Sequence, residues 1–131
     1  MSAVTLNPLI ERALRILPAI LYLAFTWLAS AQTADAFPPI VSDKIAHFGE
    51  YGLLALLLVF AFTGFDAEKV GAAPLLAVFV LSVGWGILDE YHQSFVATRE
   101  ASFLDLVADG AGAGAAVGLV AFLAWDDRRR A

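Results

Sequence analysis

Residues 44–65 read KIAHFGEYGLLALLLVFAFTGF. Lys44, His47 and Glu50 fall in the first two turns of this stretch, and residues 51–65 carry no charge. At 1.5 Å rise per residue, about 20 apolar helical residues cross a hydrocarbon core about 30 Å thick. The stretch therefore reads as a transmembrane helix that is polar where it begins. Three further runs of the same kind lie at 14–31, 74–93 and 104–125. Each has a plausible start. Asn7-Pro8 suits a cap and first turn ahead of the first run, Ser42 or Asp43 can cap the second, Pro74 suits the first turn of the third, and Ser102 with Asp105 resembles a capping box. A linker with Asp35, Pro38 and Pro39 joins the first two runs, and Asp66 to Gly71 forms a short turn between the second and third. The expected fold class is all-α: one domain, an integral membrane bundle of four transmembrane helices. The first run has a second reading, because basic residues, an apolar stretch and Ala29-Ser30-Ala31 also fit a secretory signal. Its removal would leave three spans in the same orientation.

Composition agrees. The 131 residues are 60% hydrophobic and 16% charged, with a mean hydropathy of +0.76, whereas a soluble domain averages about half apolar and a quarter charged. With four spans, little is left for a water-soluble domain. The net charge of -5 gives no reason to expect nucleic acid as a partner; the lipid bilayer is the expected one. The absence of cysteine excludes disulfides, thiol catalysis and cysteine-based zinc or iron-sulfur sites.

Lys and Arg near span ends set orientation. Arg12, Arg15, Lys69, Arg128, Arg129 and Arg130 fall on one side, Lys44 and Arg99 on the other. Six against two places both termini and the Asp66 to Gly71 turn in the cytoplasm. The polar ends of the second and third helices and the start of the fourth then meet at the outer face.

Three helices bring polar groups to that face. On the second, Asp43, His47 and Glu50 share a stripe with Lys44 beside it; on the third, Asp89 and Gln93 do so, flanked by Glu90 and His92; on the fourth, Asp105 and Asp109 are one turn apart. Ionisable groups in spans are costly and count as functional candidates. Asp43 and Asp105 lie in first turns, where a helix cap explains each. Asp89 and Glu90 lie in last turns, where the dipole disfavours negative charge by roughly 0.3 to 1 kcal/mol, so a cation is expected beside them. Arg99 is the expected partner, with Lys44 or a protonated histidine next. A structural ion-pair network and a ligand site both fit these residues. His47 and His92 lack a His-Glu-x-x-His motif or other tight ligand spacing, so no metal and no other cofactor is expected. No catalytic residue can be assigned, and whether the chain is an enzyme stays open. Proton-coupled transport fits poorly, because no acid lies midway across any span.

Gly110, Gly114 and Gly118 repeat a small-xxx-small spacing that lets helices approach closely in lipid. The spacing predicts packing against another helix, in the same chain or in a second copy as a homo-oligomer. Tyr22, Trp27, Trp85, Tyr91 and Trp125 mostly lie near span ends and read as interface anchors.

Ser42-Asp43-Lys44-Ile45-Ala46-His47-Phe48, then Asp89-Glu90-Tyr91-His92-Gln93-Ser94-Phe95, then Arg99, Ser102, Asp105 and Gly112 resemble the VanZ-like family of membrane proteins, over about residues 14–125. The resemblance implies a multi-pass protein of the bacterial cytoplasmic membrane with an envelope-related role. The founding member of that family is linked to resistance to the glycopeptide teicoplanin, so a glycopeptide or a lipid-linked envelope precursor is the ligand class implied. A non-enzymatic scaffold or accessory subunit is the alternative.

Overall fold

The computed structural model describes residues 7–33 and 42–131; the linker residues Asp35, Pro38 and Pro39 lie outside them. Four helices occupy nearly all of this length: α1 Pro8–Ser30, α2 Asp43–Thr63, α3 Ala72–Gln93 and α4 Phe103–Arg130. All four are long and apolar enough to cross a membrane, and the molecule is an all-α integral membrane bundle.

Local chemistry sets the ends. The Asn7 side chain accepts from the Leu9 N–H at 2.9 Å with Pro8 in the first turn, so α1 starts well before the apolar run at residue 14 and carries Glu11, Arg12 and Arg15 on its first turns. Ser42 caps α2 by accepting from the Ile45 N–H. α2 stops at Gly64, whose φ of 65° is the left-handed conformation that glycine adopts without strain. α4 runs past residue 125 because its charged tail is tied to the helix. Asp126 pairs with Arg130 at 2.9 Å, and the Arg129 guanidinium lies over Trp125.

The packing is inside-out relative to a soluble protein. The buried cluster is mostly alanine and valine, among them Ala55, Val59, Val78, Ala113 and Ala116, with Leu75, while Leu21, Phe25, Leu76, Leu119 and Phe122 stand exposed around the bundle. Lipid tails are as apolar as leucine, so large side chains gain nothing by facing inward, and close backbone approach decides which residues meet.

The most extensive contact is between α2 and α4, with α3 against both and α1 against α2. Contacts along the α2–α4 seam advance together, from Lys44 with Asp105 to His47 with Asp109 and Phe48 with Gly112. The two helices are therefore parallel neighbours. Their backbones are closest at Gly52 and Gly112. A Cβ on Gly112 would collide with the Phe48 carbonyl, and one on Gly52 would lie 3.4 Å from the Gly112 oxygen. The Gly110, Gly114 and Gly118 stripe makes looser contacts: Gly110 faces Val83 and Gly114 faces Phe79 at ordinary van der Waals distance, and Gly118 faces open space. At the other end of the bundle Arg128 donates to the Ala67 and Val70 carbonyls, fastening the α2–α3 turn to α4.

Candidate functional site

The N-termini of α2 and α4 lie side by side, and the C-terminal end of α3 packs against them. Lys44 in the first turn of α2 pairs with Asp105 in the first turn of α4 and lies 3.5 Å from Asp43. The Asp105 side chain is 4% exposed and Lys44 is 44% exposed, so the lysine holds a buried carboxylate from the rim. One turn deeper, His47 Nδ1 meets Asp109 Oδ1 at 2.8 Å, and both side chains are buried. The other ring nitrogen, Nε2, lies 4.0 Å from Asp43.

α3 adds a second layer of acids. Glu90 accepts the Ser102 N–H at 2.7 Å through Oε2, and Asp89 accepts from Gln93 Nε2 at 2.8 Å through Oδ2. Gly86, one turn before Glu90, gives Asp109 its space: a Cβ there would lie 2.7 Å from Asp109 Oδ2 and 3.3 Å from the Tyr51 ring. Each acid of this deeper layer thus spends one oxygen and keeps one. Tyr51 OH, Ser82 Oγ, Asp89 Oδ1, Glu90 Oε1 and Asp109 Oδ2 are all buried without a hydrogen-bond partner among the described residues. A buried polar atom left unpaired costs about 1–3 kcal/mol, more when charged; Ser82 lies midway along α3, and the other four, gathered around Asp109 and the end of α3, need an explanation.

The arrangement also gathers potential metal ligands. His47, Glu90 and Asp109 bring ligand atoms to within 4.8 Å of one another, as do Asp43, His47 and Asp105. His47 belongs to both groups, and each helix of α2, α3 and α4 contributes to the first.

A family model described as VanZ/LLP1 matches residues 11–124. The chain belongs to the VanZ/LLP1 family. No curated protein and no solved structure matches it. In this VanZ/LLP1 protein the matched region contains every residue of the cluster just described.

Of the residues the sequence singles out, Asp43, Lys44, His47, Asp89, Glu90, Gln93, Asp105 and Asp109 come together at this end of the bundle. His92 does not join them. Its ring stacks on Trp27 at 4.0 Å, and Nδ1 lies 3.2 Å from Ser30 Oγ, forming a clasp between α1 and α3. Trp85 joins the clasp through its bond to Thr26 at 3.2 Å, so Trp27 and Trp85 pack within the protein, and Trp85 lies two turns inside α3, not at its end. Glu50 is exposed beside the cluster. Arg99 is not the partner of Asp89 or Glu90; it donates to the Gln32 carbonyl at 3.2 Å. What offsets Glu90 is the amino end of α4, whose free N–H and dipole favour a carboxylate. Asp105 is not a cap either, since the N–H that a capping box would give it is taken by Glu90 and its own carboxylate turns to Lys44. By spacing alone Ser82 shares the stripe of Asp89 and Gln93 and Tyr51 flanks that of His47, which assigns neither a role, and nothing in the spacing marks Gly86 or the Ser102 N–H. A glycine opposite a carboxylate, and a backbone donor reached from another helix, leave no pattern in one chain.

Proposed function

We propose that this end of the bundle is a binding site for the polar headgroup of an amphipathic envelope molecule, a lipid-linked precursor or a glycopeptide, presented at the outer leaflet of the bacterial cytoplasmic membrane. Both termini then lie in the cytoplasm, in keeping with the six basic residues on that side and two on the other. The observation that carries the reading is the set of four buried oxygens without partners at this end, on Tyr51, Asp89, Glu90 and Asp109. A helix bundle that needed these groups only for stability would have paired or replaced them, and groups kept unpaired at a cost are what a ligand completes. Membership of the VanZ/LLP1 family supports the envelope as the setting, and the resemblance to VanZ-like proteins supports a glycopeptide or wall precursor as the ligand class.

A structural reading of the same residues is favoured by the Lys44–Asp105 and His47–Asp109 pairs. These would clamp α2 to α4 in a scaffold or accessory subunit. That reading accounts for the paired oxygens and leaves the unpaired ones unexplained.

The test compares teicoplanin susceptibility and growth under wall stress in a sensitive host carrying wild type, Asp109→Asn or Arg99→Ala, with membrane abundance matched. Protection by wild type, its loss in Asp109→Asn and its retention in Arg99→Ala is the expected result. Equal protection by wild type and Asp109→Asn would sink the proposal.

A further inference from the structure

We propose that His47, Glu90 and Asp109 form a site for a first-row divalent cation of the Zn2+ type. The inference rests on reading this end of the bundle as a ligand site and names what sits at its base. One ligand comes from each of α2, α3 and α4, and all three residues are buried. Two of the three have an oxygen to spare: Asp109 is 0% exposed with Oδ2 unpartnered, and Glu90 is 9% exposed with Oε1 unpartnered. Asp109 Oδ2 is directed at Gly86, which lies one turn from Glu90 on the same face of α3. Asp109 thus turns its spare oxygen toward α3, the helix that carries Glu90, while its other oxygen holds His47 at 2.8 Å.

Charge favours a dication here. Two buried carboxylates with one imidazole carry too little positive charge even when the ring is protonated. A divalent ion neutralises both acids and leaves the imidazole free to coordinate as the neutral base. The donor set selects the class of ion. One nitrogen and two carboxylate oxygens suit Zn2+ or Mn2+, whereas Ca2+ and Mg2+ prefer oxygen alone and Cu(I) prefers sulfur. Glu90 is already oriented for the role by the Ser102 N–H on its other oxygen. Around a tetrahedral ion with bonds of about 2.0–2.2 Å, ligand atoms lie about 3.3–3.6 Å apart, so the present spacing of 4.8 Å or less needs only side-chain adjustment. The group of Asp43, His47 and Asp105 is the weaker candidate, because Asp105 is engaged by Lys44 and Asp43 is exposed. Three protein ligands leave a coordination position for water or for an oxygen of the headgroup.

The test uses the full chain in detergent, stripped with a chelator. Wild type should take up one Zn2+ per chain by calorimetry. It should also give visible Co2+ bands that Zn2+ abolishes, a reading that depends on no variant. Asp109→Asn and Glu90→Gln should each weaken Zn2+ binding by at least about 100-fold, the upper end of what losing a mere orienting partner costs. Asp66→Asn, at the opposite end of the bundle, should bind as wild type does. No Zn2+ uptake and no Co2+ bands in wild type would overturn the proposal, as would full affinity in both cluster variants. If metal is absent while Asp109→Asn still abolishes protection, the metal falls and the headgroup site stands. If metal is bound while that variant protects normally, the metal stands and the headgroup reading falls.

Discussion

Glu90 sits at the negative end of the α3 dipole, and the positive charge that offsets it comes from the free N–H at the start of α4. Asp105, one helix away, is buried and depends on a single lysine at the rim. Removing that lysine leaves the carboxylate without its cation. Lys44→Ala should therefore lower the thermal midpoint by several degrees, and Lys44→Ala with Asp105→Asn should recover much of the loss, since an amide needs no cation. Thermal unfolding of the three proteins in one detergent checks this; a single variant as stable as wild type would show that the pair contributes nothing. At this scale the sequence was a good guide to which residues matter and a poor one to who pairs with whom. Depth along a helix is readable from spacing, so the acids and His47 were found together. Partner choice depends on rotation and offset between helices, so spacing points Arg99 to Asp89 and Glu90, Asp105 to a cap and His92 to the cluster, whereas they meet Gln32, Lys44 and Trp27 with Ser30.

The four helices were legible from apolar length, and their starts from Asn7-Pro8, Ser42 and Pro74. Their ends were less so. α1 begins at Pro8 and α4 reaches Arg130 because polar turns outside the apolar run remain helical when caps and i,i+4 pairs support them. The parallel pairing of α2 with α4 was not legible, since helices adjacent in sequence are the ordinary expectation in a bundle. It rests on Gly52 and Gly112, neither part of the regular glycine stripe. Gly112→Ala should cost about 1–3 kcal/mol by forcing the seam open at Phe48. Gly118→Ala, with open space before it, should be neutral or stabilising by up to about 1 kcal/mol. Chemical denaturation of both variants decides; equal stability would mean that the seam is not where the helices lock.

As a whole the molecule is an apolar bundle with its buried acids, Asp89, Glu90, Asp105 and Asp109, gathered at one end and most of its Lys and Arg at the other. Because the chain has no cysteine, single cysteines report orientation cleanly. In intact cells a membrane-impermeant maleimide should label Glu100→Cys, and should label Asp127→Cys only after permeabilisation; the reverse pattern would put the acid cluster in the cytoplasm. The central claim is that the unpaired buried oxygens are kept for a ligand and not for the fold. Its most direct measurement is the thermal midpoint of Glu90→Gln beside that of wild type, with envelope protection scored in the same pair at matched abundance. Glutamine keeps an oxygen for the Ser102 N–H while removing an unpaired buried charge, so the account predicts an equal or higher midpoint together with lost protection. A markedly lower midpoint with protection intact would contradict it and make the cluster a structural clamp.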